Sequence, residues 1–115
     1  MKLEGEGKLL RIFIGESDTV DGKLLYDALV LKAKERGLAG ATVLRGVEGF
    51  GAASRIHTAR ILRLSEDLPI VVEIVDSEDK IKAFMEVVDA LFERSKSGGM
   101  VTLERAEVIR YTSGK

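Results

Sequence analysis

Two kinds of hydrophobic pattern alternate along this chain, and their order limits the folds that it can adopt. Short apolar runs rich in β-branched and aromatic residues predict four strands, over 8–14, 41–45, 70–75 and from 100 to about 111. Apolar residues at helical spacing predict two helices, over about 23–36 and from 76 or 77 to about 95. The order βαββαβ is that of a ferredoxin-like α+β sandwich, an antiparallel sheet with two helices on one face.

The predicted helices have ends of the kind that commonly begin and stop helices. Asp21 is suited to cap the first helix, and Gly37 lies where a C′ glycine ends one. Either Asp76 or Ser77 is suited to cap the second. Each helix has an apolar stripe, formed in the first by Leu25, Leu29 and Ala33 and in the second by Ile81, Phe84, Met85, Val88, Leu91 and Phe92.

The strand over 70–75 has apolar residues on both of its faces. Ile70, Val72 and Ile74 lie on one face, and Val71 and Val75 lie on the other. Two helices cover only one face of the sheet, so a partner is needed to bury the second. We therefore expect a homo-oligomer joined through the open sheet face, the alternative being a sheet that tolerates a few exposed aliphatic side chains.

Composition excludes several classes of protein. At 115 residues the chain is expected to form one domain, 1–115, with a polar tail at 112–115. A net charge of -1 argues against nucleic-acid binding, and no apolar run is long enough to span a membrane. The residues after Met1 do not form a signal peptide, so we expect a cytoplasmic protein. The absence of Cys, Asn and Gln beside plentiful Glu, Lys and Arg favours a thermophilic source.

The segment 46–67 is unusually long for a connection within so small a domain, which is typical of functional or disordered loops. It begins with three glycines, Gly46, Gly49 and Gly51, where another backbone or a ligand can approach closely. Arginines flank and follow these glycines, and the segment holds the only histidine, His57. These residues are suited to bind an anion. The alternative is that the arginines form a solvated charged face.

Four segments resemble, in the same order, those of PII signal-transduction proteins and most closely their PII-like relatives. The segments are 37–43, 47–51, 68–69 with 72–75, and 98–99 with 108–110. The second of them, Val-Glu-Gly-Phe-Gly, is similar to the Val-Lys-Gly-Phe-Gly with which PII proteins enter their T-loop. The resemblance covers most of the chain. It implies a PII-like homotrimer that binds an adenine nucleotide in the clefts between subunits.

The resemblance also implies which residues form the nucleotide site. The adenosine part would contact Ile12, Thr42, Gly49, Phe50, Gly51, Glu73 and Val75. The phosphates would lie against a B-loop formed by Ser97, Gly98, Gly99 and Met100. Arg110 matches a phosphate-binding arginine that PII proteins supply from the neighbouring subunit.

The chain departs from PII proteins at several functional positions. Met100 stands where PII proteins have a phosphate-binding lysine, and Thr112 replaces a second arginine of the last strand. The cations that could replace them, or contact the ligand from the loop, are Arg45, Arg55, His57, Arg60 and Lys96. Ala53 replaces a glutamine used with magnesium and 2-oxoglutarate, and no tyrosine lies between 46 and 67. We expect nucleotide sensing without the nitrogen-signalling apparatus.

The leading hypothesis is a non-catalytic regulator that binds ADP, ATP or AMP and changes the order of its 46–67 loop to control a target protein or transporter. The alternative is a trimeric module similar to CutA proteins, acting in metal tolerance or protein interaction without nucleotide. A slow nucleotide hydrolase is a third possibility, although no nucleophile and base occur at recognisable spacing. A lone histidine does not make a metal site. Glu73 either pairs with the nucleotide or an arginine, or faces a solvated edge.

Overall fold

A computed structural model describes residues 4–51, the backbone of 57–58, and residues 67–114. Its elements, in chain order, are β1 (Gly5–Gly15), β2 (Thr19–Val20), β3 (Lys23–Leu24), α1 (Leu25–Glu35), β4 (Thr42–Arg45), β5 (Glu48–Gly49), β6 (His57–Thr58), β7 (Pro69–Asp76), α2 (Glu78–Ser95) and β8 (Met100–Val108).

The four longest strands form one antiparallel sheet in the order β4-β7-β1-β8. With α1 and α2 they give the predicted βαββαβ order and confirm the ferredoxin-like α+β fold. β1 begins earlier than expected because Gly5 is in register with Val108 of β8. β8 ends at Val108 instead of near Tyr111, since Val108 faces the first residue of β1 and no described residue of β1 pairs beyond it.

The core lies between the sheet and the two helices. Along β7 buried and half-buried residues alternate strictly, so one face of the strand is packed and the other is left open. The buried apolar set draws on both central strands and both helices: Leu10, Ile12, Ile14, Ile70, Val72, Ile74, Leu25, Leu29, Ala33, Ile81, Phe84, Val87, Val88 and Leu91, together with Val20. The predicted stripes of both helices face this core, with Met85 and Phe92 half-buried at its edge.

Ser77 caps α2, as one of the two sequence alternatives predicted. Its Oγ accepts a hydrogen bond from the backbone N–H of Lys80 at 3.4 Å. Asp76 has a different role, because its fully buried carboxylate accepts from the backbone N–H groups of Ala39, at 2.8 Å, and Ser77, at 2.6 Å. The start of α2 is thereby joined to the segment that leads into β4.

The prediction that Asp21 caps α1 is wrong. Asp21 and Gly22 have φ values of 51° and 79° and form the turn of a two-stranded hairpin, β2–β3. An Asp-Gly pair favours such a turn, because both central residues take positive φ. The helix instead begins at Leu25, with Leu24 as its N-cap and no side-chain cap. Asp21 bonds to Arg94 of α2 at 2.9 Å and 3.0 Å.

Candidate functional site

Two glycines of the 46–51 stretch, Gly46 and Gly49, lie close against Pro69, the only proline of the chain. A Cβ added at Gly46 or Gly49 would lie 3.0 Å or 3.1 Å from Pro69 Cγ, so a side chain at either position would press on the ring. The N–H of Gly46 donates to the Pro69 carbonyl at 2.8 Å. The chain therefore runs directly over Pro69 at the start of β7, and Gly49 then pairs with the backbone of His57 in the β5–β6 hairpin.

A groove of about 560 Å³ lies at this end of the sheet. Its described lining consists of Phe13, Ile14, Gly15, Asp18, Gly49, Phe50, Gly51, Asp67, Pro69, Ile70, Gly98, Gly99 and Met100. The groove thus brings together two predicted segments, 49–51 and 98–100, that lie far apart in the sequence. Its size is within the range of small-molecule pockets, roughly 300–1,000 Å³.

One wall of the groove depends on the close approach of Gly99 to β1. A Cβ at Gly99 would lie 2.7 Å from the Phe13 carbonyl oxygen and 2.8 Å from the Phe92 ring. α2 ends just before, where Lys96 adopts a left-handed conformation with φ 59°. Two large apolar side chains at the groove, Phe50 and Met100, are 67% and 56% exposed, so both are available to a ligand or to another chain.

Two carboxylates stand together at the other wall. Asp18 Oδ2 accepts from the N–H of Gly15, and Asp67 Oδ1 accepts from the N–H of Ser17, both at 2.9 Å. Burial raises the pKa of the Asp18 carboxyl above its ordinary value, the Gly15 N–H opposes this shift, and the charge of Asp67 adds to it. Neither Asp18 nor Asp67 is predicted as a site residue from the sequence. The sequence feature that could have identified them is that each lies beside a strand that meets the groove.

Three other predicted contacts lie on the open sheet face and do not line the groove. Thr42 pairs with Glu73 across β4 and β7, and Val75 pairs with Leu9 of β1. The partner of Glu73 is Arg11, whose Nε lies 2.9 Å from Glu73 Oε2. The sequence left open whether Glu73 pairs with the nucleotide, pairs with an arginine or faces a solvated edge. In the structure Glu73 pairs with an arginine, Arg11.

Arg11 bridges two carboxylates on this face, because its Nη1 also lies 3.1 Å from Glu104 Oε2. The hydrogen bond to Glu73 is the main reason that the pKa of Arg11 is raised, and the charge of Glu104 adds to the shift. All three side chains remain partly exposed, so the cluster contributes little stability in the isolated chain.

Two predicted residues stand apart from both groups. Ile12 is fully buried in the core beneath the helices, so the expectation that its side chain contacts a ligand is corrected. Arg110 is exposed and follows the far end of β8. Met100 and Val108, at the two ends of that strand, are separated by about 27 Å. Arg110 therefore does not reach the groove of its own chain.

The candidate cations are also dispersed. Arg45 Nη1 bonds to Glu16 Oε2 at 3.1 Å, and Lys96 is exposed beside the B-loop-like segment, in which Ser97 donates its N–H to Ser95 Oγ at 2.9 Å. Arg55, Arg60 and the side chain of His57 lie outside the described residues. No Lys, Arg or His is among the described residues that line the groove. The described lining of the groove is thus apolar and acidic.

Two further findings bear on ligands and environment. Within residues 4–51 and 67–114, no three His, Cys, Asp or Glu side chains are grouped as metal ligands would be. Neither helix of the described chain has the length and apolar character needed to cross a membrane.

Comparison with known proteins places the chain in a family. The model of the DUF190 family, described as Uncharacterized ACR, COG1993, matches residues 7–108. The chain belongs to this family. A UPF0166 protein of Aquifex aeolicus is 46% identical over 102 residues, which cover 89% of this chain and 92% of the relative. A UPF0166 protein of Methanocaldococcus jannaschii is 32% identical, with 91% and 94% covered.

Solved structures confirm the PII-like fold of this DUF190 chain. CPII, a nitrogen regulatory PII-like protein from Thiomonas intermedia K12 bound to ADP, AMP and bicarbonate, matches with a TM-score of 0.69 and 18% identity over 95% of this chain and 92% of CPII. A candidate PII-like signalling protein of Thermus thermophilus matches with a TM-score of 0.66 and 22% identity, over 97% and 100%. At 18% and 22% identity, these matches show that the fold is shared.

Proposed function

We propose that this DUF190 protein is a non-catalytic regulator that binds an adenine nucleotide, ADP, ATP or AMP, in a groove completed by a neighbouring subunit. The observation that carries the proposal is the groove itself, in which 49–51 and 98–100 meet. These are the segments that resemble the nucleotide-contacting loops of PII proteins. The structure of CPII with ADP and AMP supports the choice of ligand.

The charge of the groove supports a site shared between subunits. An adenine nucleotide has anionic phosphates, and the described lining offers them two carboxylates and no cation. Arg110 could reach the groove only from another copy of the chain. The open sheet face, with half-buried Phe13, Val71 and Val75, is the surface through which copies would associate as a trimer.

Both ends of the 46–67 segment contribute to the groove, through Gly49–Gly51 and through Asp67. A nucleotide bound there would contact both ends at once, so this segment is the part of the chain through which binding would control a target protein or transporter.

Calorimetry with ATP, ADP, AMP, cyclic AMP and adenosine tests the proposal on the purified, nucleotide-free protein. We expect saturable binding of at least one phosphorylated ligand, and no binding by any of the five would overturn the proposal. Metal binding without nucleotide binding would favour the CutA-like alternative.

An arginine substitution tests the shared site. Arg110→Ala should weaken the binding of ADP far more than that of adenosine, because Arg110 would contact only the phosphates. Arg36→Ala is the matched control, since Arg36 is exposed at the end of α1 and does not line the groove. Equal losses for ADP and adenosine would show that the phosphates lie elsewhere.

A further inference from the structure

We infer that Asp18 and Asp67 recognise the ribose hydroxyls of the bound nucleotide and keep its phosphates at the opposite side of the groove. The inference rests on the proposed function, and it assigns to that site two residues that the likeness to PII proteins did not supply.

The two carboxylates converge on one point, the backbone of Gly15. A Cβ built at Gly15 would lie 2.9 Å from Asp67 Oδ1, 3.3 Å from Asp67 Oδ2 and 3.4 Å from Asp18 Oδ1. Any other residue at this position would therefore press on the Asp67 carboxylate and lie in contact with that of Asp18. Because position 15 is a glycine, both groups have space at the wall of the groove.

Each carboxylate is anchored through one oxygen and has a second oxygen to offer. Asp18 uses Oδ2 to accept from Gly15, and Asp67 uses Oδ1 to accept from Ser17. Asp18 Oδ1 and Asp67 Oδ2 accept no hydrogen bond within the described part of the chain. The backbone bonds fix the orientation of both groups, so the remaining oxygens form a preorganised pair of acceptors.

The chemistry of these acceptors limits which part of a nucleotide they can meet. An ionised carboxylate only accepts hydrogen bonds, and phosphate oxygens are anionic acceptors that it repels. The donors of an adenine nucleotide are its ribose hydroxyls and the amino group of the base. Two neighbouring acceptors match two neighbouring hydroxyls, and acidic side chains bind ribose hydroxyls in this way in dinucleotide-binding folds.

The remaining walls suit the other parts of the ligand. Phe13, Phe50 and Met100 offer apolar surface on which a purine can stack. The turn that contains Gly98 and Gly99 lies beside Met100 and presents backbone without side chains. With the sugar at Asp18 and Asp67, the phosphates would extend toward this turn and the neighbouring subunit.

The experiment compares AMP with 2′,3′-dideoxy-AMP on the intact protein by calorimetry. We expect the wild type to bind AMP at least about tenfold more tightly, since hydrogen bonds to charged acceptors are lost in the analogue. Asp67→Ala should lose part of this preference, because Asp18 still accepts from one hydroxyl, and the double variant Asp18→Ala with Asp67→Ala should bind both ligands alike. Asp79→Asn, a change of charge at an exposed site on α2, should keep the full preference for AMP.

A charge-only variant tests the second half of the inference. Asp67→Asn keeps an oxygen for the Ser17 N–H, so its fold should be retained, which thermal unfolding checks. Without the negative charge, ADP binding should strengthen relative to adenosine by about threefold or more, because the repulsion between the carboxylate and the phosphates is removed. An unchanged ratio of ADP to adenosine affinity would overturn this half.

The outcomes separate this inference from the function on which it rests. If the wild type binds no adenine ligand, the proposed function fails. If it binds AMP and the dideoxy analogue equally, the function stands and the role of the two aspartates is wrong. If Asp67→Ala instead abolishes discrimination against N6-methyl-AMP, the carboxylates contact the base amino group, and the ribose assignment is overturned.

Discussion

At Gly99 the chain passes so close to β1 that no side chain fits between the two backbones. The nearest atom is a carbonyl oxygen of β1, which cannot move without disturbing the pairing of that strand with β8. A substitution here therefore affects the sheet and the groove together, although Gly99 lies at the surface.

We expect Gly99→Ala to lower the free energy of unfolding by about 1–3 kcal/mol, the usual cost of overpacking, and to weaken ligand binding at the groove. Urea denaturation measures the first effect. Gly40→Ala is the control, because a Cβ at Gly40 meets no atom within 4 Å and its φ is not positive. Equal stability of the two variants would contradict the close approach.

Asp18 makes stability depend on pH. Its pKa is raised in the folded protein, chiefly by burial, so the ionised form is less favourable in the fold than in the unfolded chain. This penalty is present at neutral pH, decreases as pH falls through the folded pKa, and disappears below the unfolded value of 3.8.

Asp18→Asn should therefore be more stable than the wild type at pH 7, with the difference vanishing near pH 3. The asparagine can still accept from Gly15, whereas Asp18→Ala loses this bond and should not be stabilised. Urea unfolding at a series of pH values measures both variants. A constant difference between Asp18→Asn and the wild type across this range would show that the charge of Asp18 is not the cause.

At the scale of elements, Asp76 joins β7, α2 and the segment before β4. Removing its carboxylate leaves the N–H of Ala39 without its partner in a half-buried position. We expect Asp76→Ala to lower the free energy of unfolding by about 2–3 kcal/mol and Asp76→Asn by less, since the amide keeps one acceptor. The exposed Asp79→Ala, which removes only a charge in the first turn of α2, should lower it by at most about 1 kcal/mol.

The elements show what periodicity can predict and what it cannot. Both helices follow from the apolar spacing, and the four strands of the sheet follow from short apolar runs of at least four residues. The hairpin β2–β3 has strands of two residues and shows no period, so its Asp-Gly turn resembled a helix start.

The site was less predictable than the fold. Ile12 was assigned to the ligand through the resemblance to PII proteins, and a resemblance in sequence does not show that this side chain is buried beneath the helices. Asp18 and Asp67 meet only because Gly15 is in register with Pro69 between β1 and β7, a pairing that local sequence does not determine. The likeness to PII proteins did identify 49–51 and 98–100, which the groove brings together.

For the whole molecule, the open sheet face is the surface on which the proposed trimer depends. Val71 lies at its middle, paired with Phe13 on one side and Leu44 on the other. Val71→Glu would place an unpaired charge in the interface, so we expect the trimer to dissociate. Leu31→Glu, at a 52%-exposed position on α1, is the control and should leave the assembly unchanged.

Light scattering after size-exclusion chromatography measures the mass. The wild type and Leu31→Glu should have three times the mass of the single chain, and Val71→Glu should have the mass of one. A wild-type monomer, or a Val71→Glu trimer, would contradict association through this face.

The meeting of 49–51 with 98–100 also has a consequence for the lifetime of the protein in the cell. Such a groove requires contacts between distant parts of the chain, so it exists only when folding is complete. A ligand that binds it stabilises the whole fold, by about 2.7 kcal/mol at a hundredfold excess over Kd. Proteases attack mainly opened chains. We therefore expect ADP to slow digestion by thermolysin, so that the abundance of this protein would follow the supply of its nucleotide.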